Sequence, residues 1–232
     1  MKFTAEIGGI IPRTPDVKSF RFERPDGFDY MPGQYILVTL QIQGTDVRKP
    51  FTISSSPTEQ DHIEFTKKLT GHDFSNVLDS MKVGDVVGIA GPYGNFTFEG
   101  QFDKIAMVSG GIGITPMISI CTYCTDRGLD SDIVLLESNR EECDIPFGEH
   151  LETLLQRNPH LRVVHTLTRA SDAWSGCRGR VCENMIREEI PDYKDRIFYL
   201  CGPPPMMDSI QSILIEMDIP KDRIKKEVFV QV

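Results

Sequence analysis

Residues 105–116 read IAMVSGGIGITP, a short apolar run that breaks into a glycine-rich turn and then into a helical pattern. Ile105 to Val108 has the length and side chains of a buried strand. Gly110, Gly111 and Gly113 allow a tight turn, and Pro116 suits the first turn of a helix beginning near Thr115. A helix start in that position points free N–H groups past the strand end, which favours an anion such as a pyrophosphate. The spacing departs from G-x-G-x-x-G, and no acidic residue stands at the customary distance for a ribose, so the ordinary dinucleotide fingerprint is absent. Ile105 to Thr125 is uncharged and long enough to cross a bilayer, but its clustered glycines, Pro116 and interspersed Ser and Thr residues argue for a strand, turn and helix instead.

Downstream, the apolar runs Ile133 to Leu136, Val163 to Leu167 and Ile197 to Leu200 alternate with helix-like segments, Phe147 to Arg157 and Pro205 to Met217. That rhythm predicts a parallel sheet with crossover helices. Upstream, Val17 to Phe22, Tyr35 to Leu40, Phe51 to Ser55, His62 to Leu69 and Asp85 to Ala90 read as short strands with Gly or Pro at most junctions. Many short strands with turn signals predict an antiparallel barrel or sandwich. A glycine and a charge interrupt the pattern between Gly100 and Asp103, so the expected organisation is a β domain over residues 1–100 and an α/β domain over 101–232.

The 232 residues carry 25 Lys+Arg against 34 Asp+Glu, a formal net charge of −9, which disfavours nucleic acid and anionic membranes as partners. Met1 to Pro15 alternates polar and apolar residues without the compact apolar stretch of a secretory signal, so the expected location is cytoplasmic. Six scattered cysteines are too few for a disulfide scaffold in a chain of this length. Cys121 and Cys124 form a C-x-x-C inside an apolar helical pattern, where thiols act as small hydrophobes, and no metal site is expected.

Two more stretches carry chemistry. Cys201 to Met207, CGPPPMM, directly follows a strand, and a thiol at the C-terminal end of a parallel strand faces the crevice where open α/β sheets bind ligands. Lys49 to Pro57, KPFTISSSP, sets a cation, an aromatic ring and hydroxyls close together, a combination suited to charge neutralisation, stacking and hydrogen bonding.

In this order the three stretches resemble the ferredoxin–NADP reductase superfamily, which includes cytochrome b5 reductases and the reductase components of bacterial oxygenases. The resemblance extends to Gly84-Asp85, to Gly91-Pro92-Tyr93-Gly94-Asn95-Phe96, to Trp174, Gly176, Gly179 and Arg180, and to Glu227-Val228-Phe229. It implies an N-terminal flavin-binding antiparallel β-barrel followed by a parallel-sheet α/β domain for a pyridine nucleotide. The flavin motif falls on Lys49, Pro50, Phe51 and Thr52. Phe51 would pack on the isoalloxazine, Thr52 would hydrogen-bond near its N5, and Ser54 and Ser55 would continue the contact. The family's arginine is lysine here, and Arg48 belongs to the other face of a regular strand, so either Lys49 or a bulged Arg48 would meet the flavin phosphate. Gly71 and Ser75 resemble the next flavin element, at a helix start.

In the second domain the resemblance assigns the nucleotide pyrophosphate to Gly110, Gly111 and Gly113, with Thr115 and Pro116 near the nicotinamide. Cys201, followed by Gly202, would sit by the reacting carbon and Glu227 would help orient that centre. Phe229 would cover the flavin until the nicotinamide displaces it. Ser138, Asn139 and Arg140 occupy the place for the adenosine ribose, where Arg140 could pair with a 2′-phosphate and Glu137 with a 2′-hydroxyl, leaving NADH and NADPH both open.

The implied function is a hydride passed from NADH or NADPH to FAD, and electrons passed on to a separate acceptor such as a ferredoxin or an oxygenase component. A free flavin or quinone reductase, and an electron-transfer or nucleotide-sensing subunit of a larger complex, are the alternatives.

Overall fold

A computed structural model describes residues 1–228. Strands β1 (Lys2–Glu6), β2 (Gly9–Thr14), β3 (Val17–Glu23), β4 (Tyr35–Ile42), β5 (Thr45–Thr52), β6 (His62–Lys68) and β7 (Val86–Tyr93) form two antiparallel sheets, ordered β1-β7-β4-β5 and β2-β3-β6. The chain passes from one sheet to the other at Ile53, whose only ladder contact is a bridge to Phe65. The expected strand Phe51 to Ser55 therefore stops at Thr52, and it begins earlier, at Thr45. Alternation along β3, β4 and β6 points Phe20, Phe22, Ile36, Val38, Ile63 and Phe65 into a shared core with Phe51 and Phe74. Each such side chain contributes about 1.5–3 kcal/mol by leaving water. The short helix α1 (Asp73–Ser80) packs its Phe74 and Leu78 against that core.

The second half holds a wholly parallel sheet, ordered β11-β10-β9-β8-β12-β13, from β8 (Lys104–Gly110), β9 (Asp132–Asn139), β10 (Leu161–Leu167), β11 (Cys177–Arg178), β12 (Ile197–Gly202) and β13 (Ile224–Val228). Helices α2 (Ile114–Arg127) and α3 (Gly148–Arg157) cover one face. Helices α4 (Glu183–Glu189) and α5 (Pro204–Glu216) cover the other. Both faces are buried, so these strands read as continuous apolar runs in the sequence. Two strands run further than those runs suggest: β9 includes Glu137 to Asn139, and β12 includes Cys201 and Gly202. Phe96 and Phe98, which precede the expected boundary, pack with Tyr199 and Met107 in the core of the second half. No helix among the described residues is long and apolar enough to cross a membrane. Cys121 and Cys124 lie buried on α2 in the same core.

Candidate functional site

β5 pairs with β4 in unbroken register, Val38 opposite Lys49 and Thr39 opposite Arg48, so the strand carries no bulge there. Arg48 Nε donates to Thr39 Oγ1 at 3.2 Å on one face. Lys49 lies on the other, with Nζ 6.0 Å from the Phe74 ring in the first turn of α1. Pro50, next after Lys49, is exposed. Phe51 is 9% exposed, and its neighbours are the rings of Phe65 at 5.1 Å and Phe74 at 5.7 Å, so it serves the barrel core as well as any ligand. Thr52 is 3% exposed, and its Oγ1 meets no partner among the described residues.

Ser54 and Ser55, expected at the flavin, also carry hydrogen bonds within the barrel. Ser54 Oγ donates to Glu64 Oε1 at 3.1 Å and shares a proton with Thr66 Oγ1 at 2.8 Å. Ser55 Oγ accepts from Glu64 N at 2.9 Å and lies 3.0 Å from Tyr30 Oη. Glu64 is the common partner: its carboxylate, 3% exposed, takes the Ser54 hydroxyl along with Arg13 and Arg21, at 2.9 and 2.7 Å, and its backbone N–H donates to Ser55. The two arginines hold its carboxyl below the usual range against the desolvation that raises it. Ser75 is the third residue of α1 rather than its N-cap, and its Oγ accepts from Thr70 N at 2.9 Å. Gly71 just ahead takes a left-handed φ of 76°, with open space where a Cβ would stand.

In the second half a 3₁₀ turn, Gly111–Gly113, joins β8 to α2. A Cβ on Gly113 would lie 2.1 Å from the Cys201 carbonyl oxygen, so this glycine is required by one strand end crossing another. Gly110 is crowded less rigidly, by the Met206 and Pro203 side chains, and Gly202 lies against Gly110. Gly111, with φ 53°, has nothing within 4 Å of its Cβ position and borders open space. Thr115 Oγ1 donates to Ile112 O at 3.1 Å and holds the turn, and Pro116 lies in the first helical turn as expected.

One row of side chains crosses the C-terminal edge of the sheet. Parallel register places Glu227 beside Cys201, Cys201 beside Ser109, Ser109 beside Glu137 and Glu137 beside His165. Residues paired in this way share a face, here the face covered by α2 and α3. Burial pushes the Cys201 thiol well up, with Glu227 adding to it. Burial also pushes the Glu227 carboxyl up to about 7. Glu227 Oε2 and Ser109 Oγ have no partner among the described residues.

Glu137 is not placed for a ribose hydroxyl. It is fully buried, takes a hydrogen bond from Asn139 Nδ2 at 2.9 Å, and has His165 Nδ1 3.0 Å from its Oε2. Ser138 and Asn139 are buried as well, whereas Arg140 is exposed and its carbonyl accepts from Arg169 N at 2.8 Å. Ser109, His165 and Arg169 escaped the sequence reading; Ser109 had a signal, a hydroxyl ending an apolar run just before the glycines. Phe229 lies outside the described residues.

The two halves meet through Ser119 Oγ donating to Ser55 O at 2.7 Å, Thr58 Oγ1 to Asp126 Oδ2 at 2.6 Å, and Arg13 stacked 4.5 Å from the Phe147 ring centroid. Leaving a buried polar atom unpaired costs about 1–3 kcal/mol, and Thr52 Oγ1, Ser109 Oγ and Glu227 Oε2 are among the buried atoms without a partner among the described residues. A hydroxyl on the barrel side and a thiol, a hydroxyl and an acid on the sheet side fit two planar rings that carry hydrogen-bonding edges.

Residues 11–98 match the oxidoreductase FAD-binding domain family and residues 107–212 the oxidoreductase NAD-binding domain family. The glycine betaine monooxygenase reductase subunit of Chromohalobacter salexigens is 33% identical over 213 residues, covering 88% of this chain and 58% of the relative. The chain thus spans less than two thirds of the length of that curated relative. The flavohem-like FAD/NAD-binding domain of nitric oxide dioxygenase from Vibrio cholerae superposes with a TM-score of 0.86 at 25% identity, covering 97% of this chain and 98% of that one. A ferredoxin NADP+ reductase from Neisseria gonorrhoeae with bound FAD and NADP shares the fold, with a TM-score of 0.85 at 20% identity over 98% of both chains.

Proposed function

Because the chain belongs to the ferredoxin–NADP reductase superfamily, with its FAD-binding domain ahead of its NAD-binding domain, we propose that it oxidises NADH or NADPH and delivers the electrons to a redox protein such as an oxygenase component or a ferredoxin. The observation that carries this reading is the set of unpaired buried groups, Thr52 Oγ1 on the barrel and Glu227 Oε2 beside Cys201 on the sheet. Bound FAD would supply the exchange between two-electron and one-electron chemistry. Thr52 would offer a hydrogen bond to the flavin ring edge, and Lys49 a charge to its phosphates. The small Cys201 side chain would leave room for the nicotinamide, and Glu227 would orient the same centre from the next strand. No general base is needed, because hydride transfer depends on bringing two rings together in alignment.

The ribose end rests on Arg140 with Arg169 beside it, since Glu137 is enclosed. Two cations at an exposed strand end suit a 2′-phosphate, and this favours NADPH. A cytoplasmic location accords with the free cysteines. Anaerobic titration of the flavin-loaded protein with NADH and with NADPH, followed by flavin absorbance, is the test. Bleaching by one or both nucleotides is expected; a flavin spectrum that neither changes would overturn the reading.

A further inference from the structure

Strand β2 loses register with β3 at one residue. Pro12 pairs with Lys18 and Thr14 with Val17, so Arg13 has no partner across the ladder. A β-bulge of this kind bends the strand and re-aims the side chain of the extra residue. The Arg13 guanidinium reaches Glu64, with Nη2 2.9 Å from both carboxylate oxygens, and Nε donates to Ser19 Oγ at 2.8 Å. Its central carbon lies over the Phe147 ring of the second half, 4.5 Å from the centroid.

Charge alone does not account for Arg13. Glu64 is a single carboxylate, and Arg21 already meets it at 2.7 Å, with the Ser54 hydroxyl at 3.1 Å. What Arg13 adds is a contact with the second half. Hydrogen bonds from Nε and Nη2 fix the plane of a guanidinium, so Phe147 rests on an oriented surface that the point charge of a lysine could not offer. Phe147 is 3% exposed and stands at the start of α3, at the end of the segment that leaves β9 through Arg140. On the barrel side, Ser54 shares Glu64 with Arg13 and lies just past Thr52. The stack therefore links the end of β5 to the segment that follows β9.

We infer that Arg13 is a positioning residue for hydride transfer: its stack on Phe147 sets the angle between the halves, and with it the alignment of the flavin and nicotinamide rings. The inference rests on the reductase reading above, in which each half holds one of the two rings. Alignment is sensitive to such a contact, since a displacement of about 1 Å costs about a hundredfold in rate.

Arg13→Lys keeps a charge beside Glu64 and removes the plane, and Phe147→Leu keeps an apolar side chain and removes the ring. Both variants and the double variant are loaded with FAD and reduced by NADPH and by NADH in anaerobic stopped flow. Each single change should slow reduction at saturating nucleotide by about tenfold and weaken the long-wavelength charge-transfer absorbance of nicotinamide beside flavin, with FAD affinity within about twofold of wild type. The double variant should be no slower than the slower single one, because one contact is lost only once. In the flavin-free proteins, the same cycle of variants followed by melting temperature should also be non-additive. Unchanged reduction rates, additive effects in either cycle, or slowing matched by an equal loss of FAD affinity overturns the inference and leaves the reductase reading standing. A wild-type flavin that neither nucleotide bleaches overturns both.

Discussion

Replacing Thr52 by Val separates packing from a ligand contact, because the methyl group fills the space of a hydroxyl that has no partner among the described residues. The flavin-free variant should be as stable as wild type or more so, by about 1 kcal/mol, since a buried polar group is removed with nothing broken. Flavin reduction by NAD(P)H in stopped flow should slow by about tenfold, equivalent to about 1.4 kcal/mol of lost alignment. A slower reaction accompanied by a lower melting temperature would instead make Thr52 a packing residue. Glu227 bears on pH. Its folded pKa of about 7 lies above the ordinary 4.5, so the folded state holds a proton that the unfolded state has released between those values. Its contribution to stability is full below about 4.5 and is lost as pH rises toward about 7. Glu227→Gln should therefore flatten the melting temperature of the flavin-free protein across that window relative to wild type, and coincident pH profiles for the two proteins would remove Glu227 as the source. At this scale the sequence located the motif but not its hydrogen bonds. The hydrogen bonds of Ser54 and Ser55 to Glu64, ten and nine residues away, could not be read from the sequence because Glu64 only becomes their neighbour when the second sheet folds back.

At the scale of elements, Gly113 is the tightest joint, with Cys201 carbonyl oxygen 2.1 Å from where a Cβ would be. Its φ of −63° is ordinary, so any cost of Gly113→Ala arises from contact alone. Both partners are backbone and cannot rotate away, so the end of β12 must shift and take Cys201 with it. The expected result is a loss of about 1–3 kcal/mol in stability and weaker pyridine nucleotide binding, with flavin content retained. Calorimetry with NADP+ and the absorbance ratio of flavin to protein would show it; a variant indistinguishable from wild type would mean the joint is looser than drawn. The parallel strands were legible because burial on both faces leaves long apolar runs. Their polar ends were not, since Glu137 and Cys201 continue β9 and β12 beyond the last apolar residue.

For the whole molecule, a hydrogen bond between Ser119 and Ser55 is one of the contacts that join the halves. Ser119 is fully buried, and its hydroxyl is the donor for the Ser55 carbonyl. Ser119→Ala strands that carbonyl at a cost of about 1–3 kcal/mol, located between the halves and not within either. Scanning calorimetry of wild type should give one transition, and the variant a broader or divided one; a single sharp transition merely displaced to lower temperature would place the loss inside one domain. The order of domains was readable from the change of rhythm near Gly100, but the junction was not, because Ser55 and Ser119 lie 64 residues apart. One arrangement bears on redesign. Arg140 stands exposed just past the end of β9, while Glu137, three positions earlier in the strand, is enclosed by Asn139 and His165. The outer rim can therefore be rewritten without disturbing the buried lattice beneath it. On the proposed placement of the adenosine ribose, exchange of the reductant would be sought at Arg140 and Arg169, with the enclosed acid left alone.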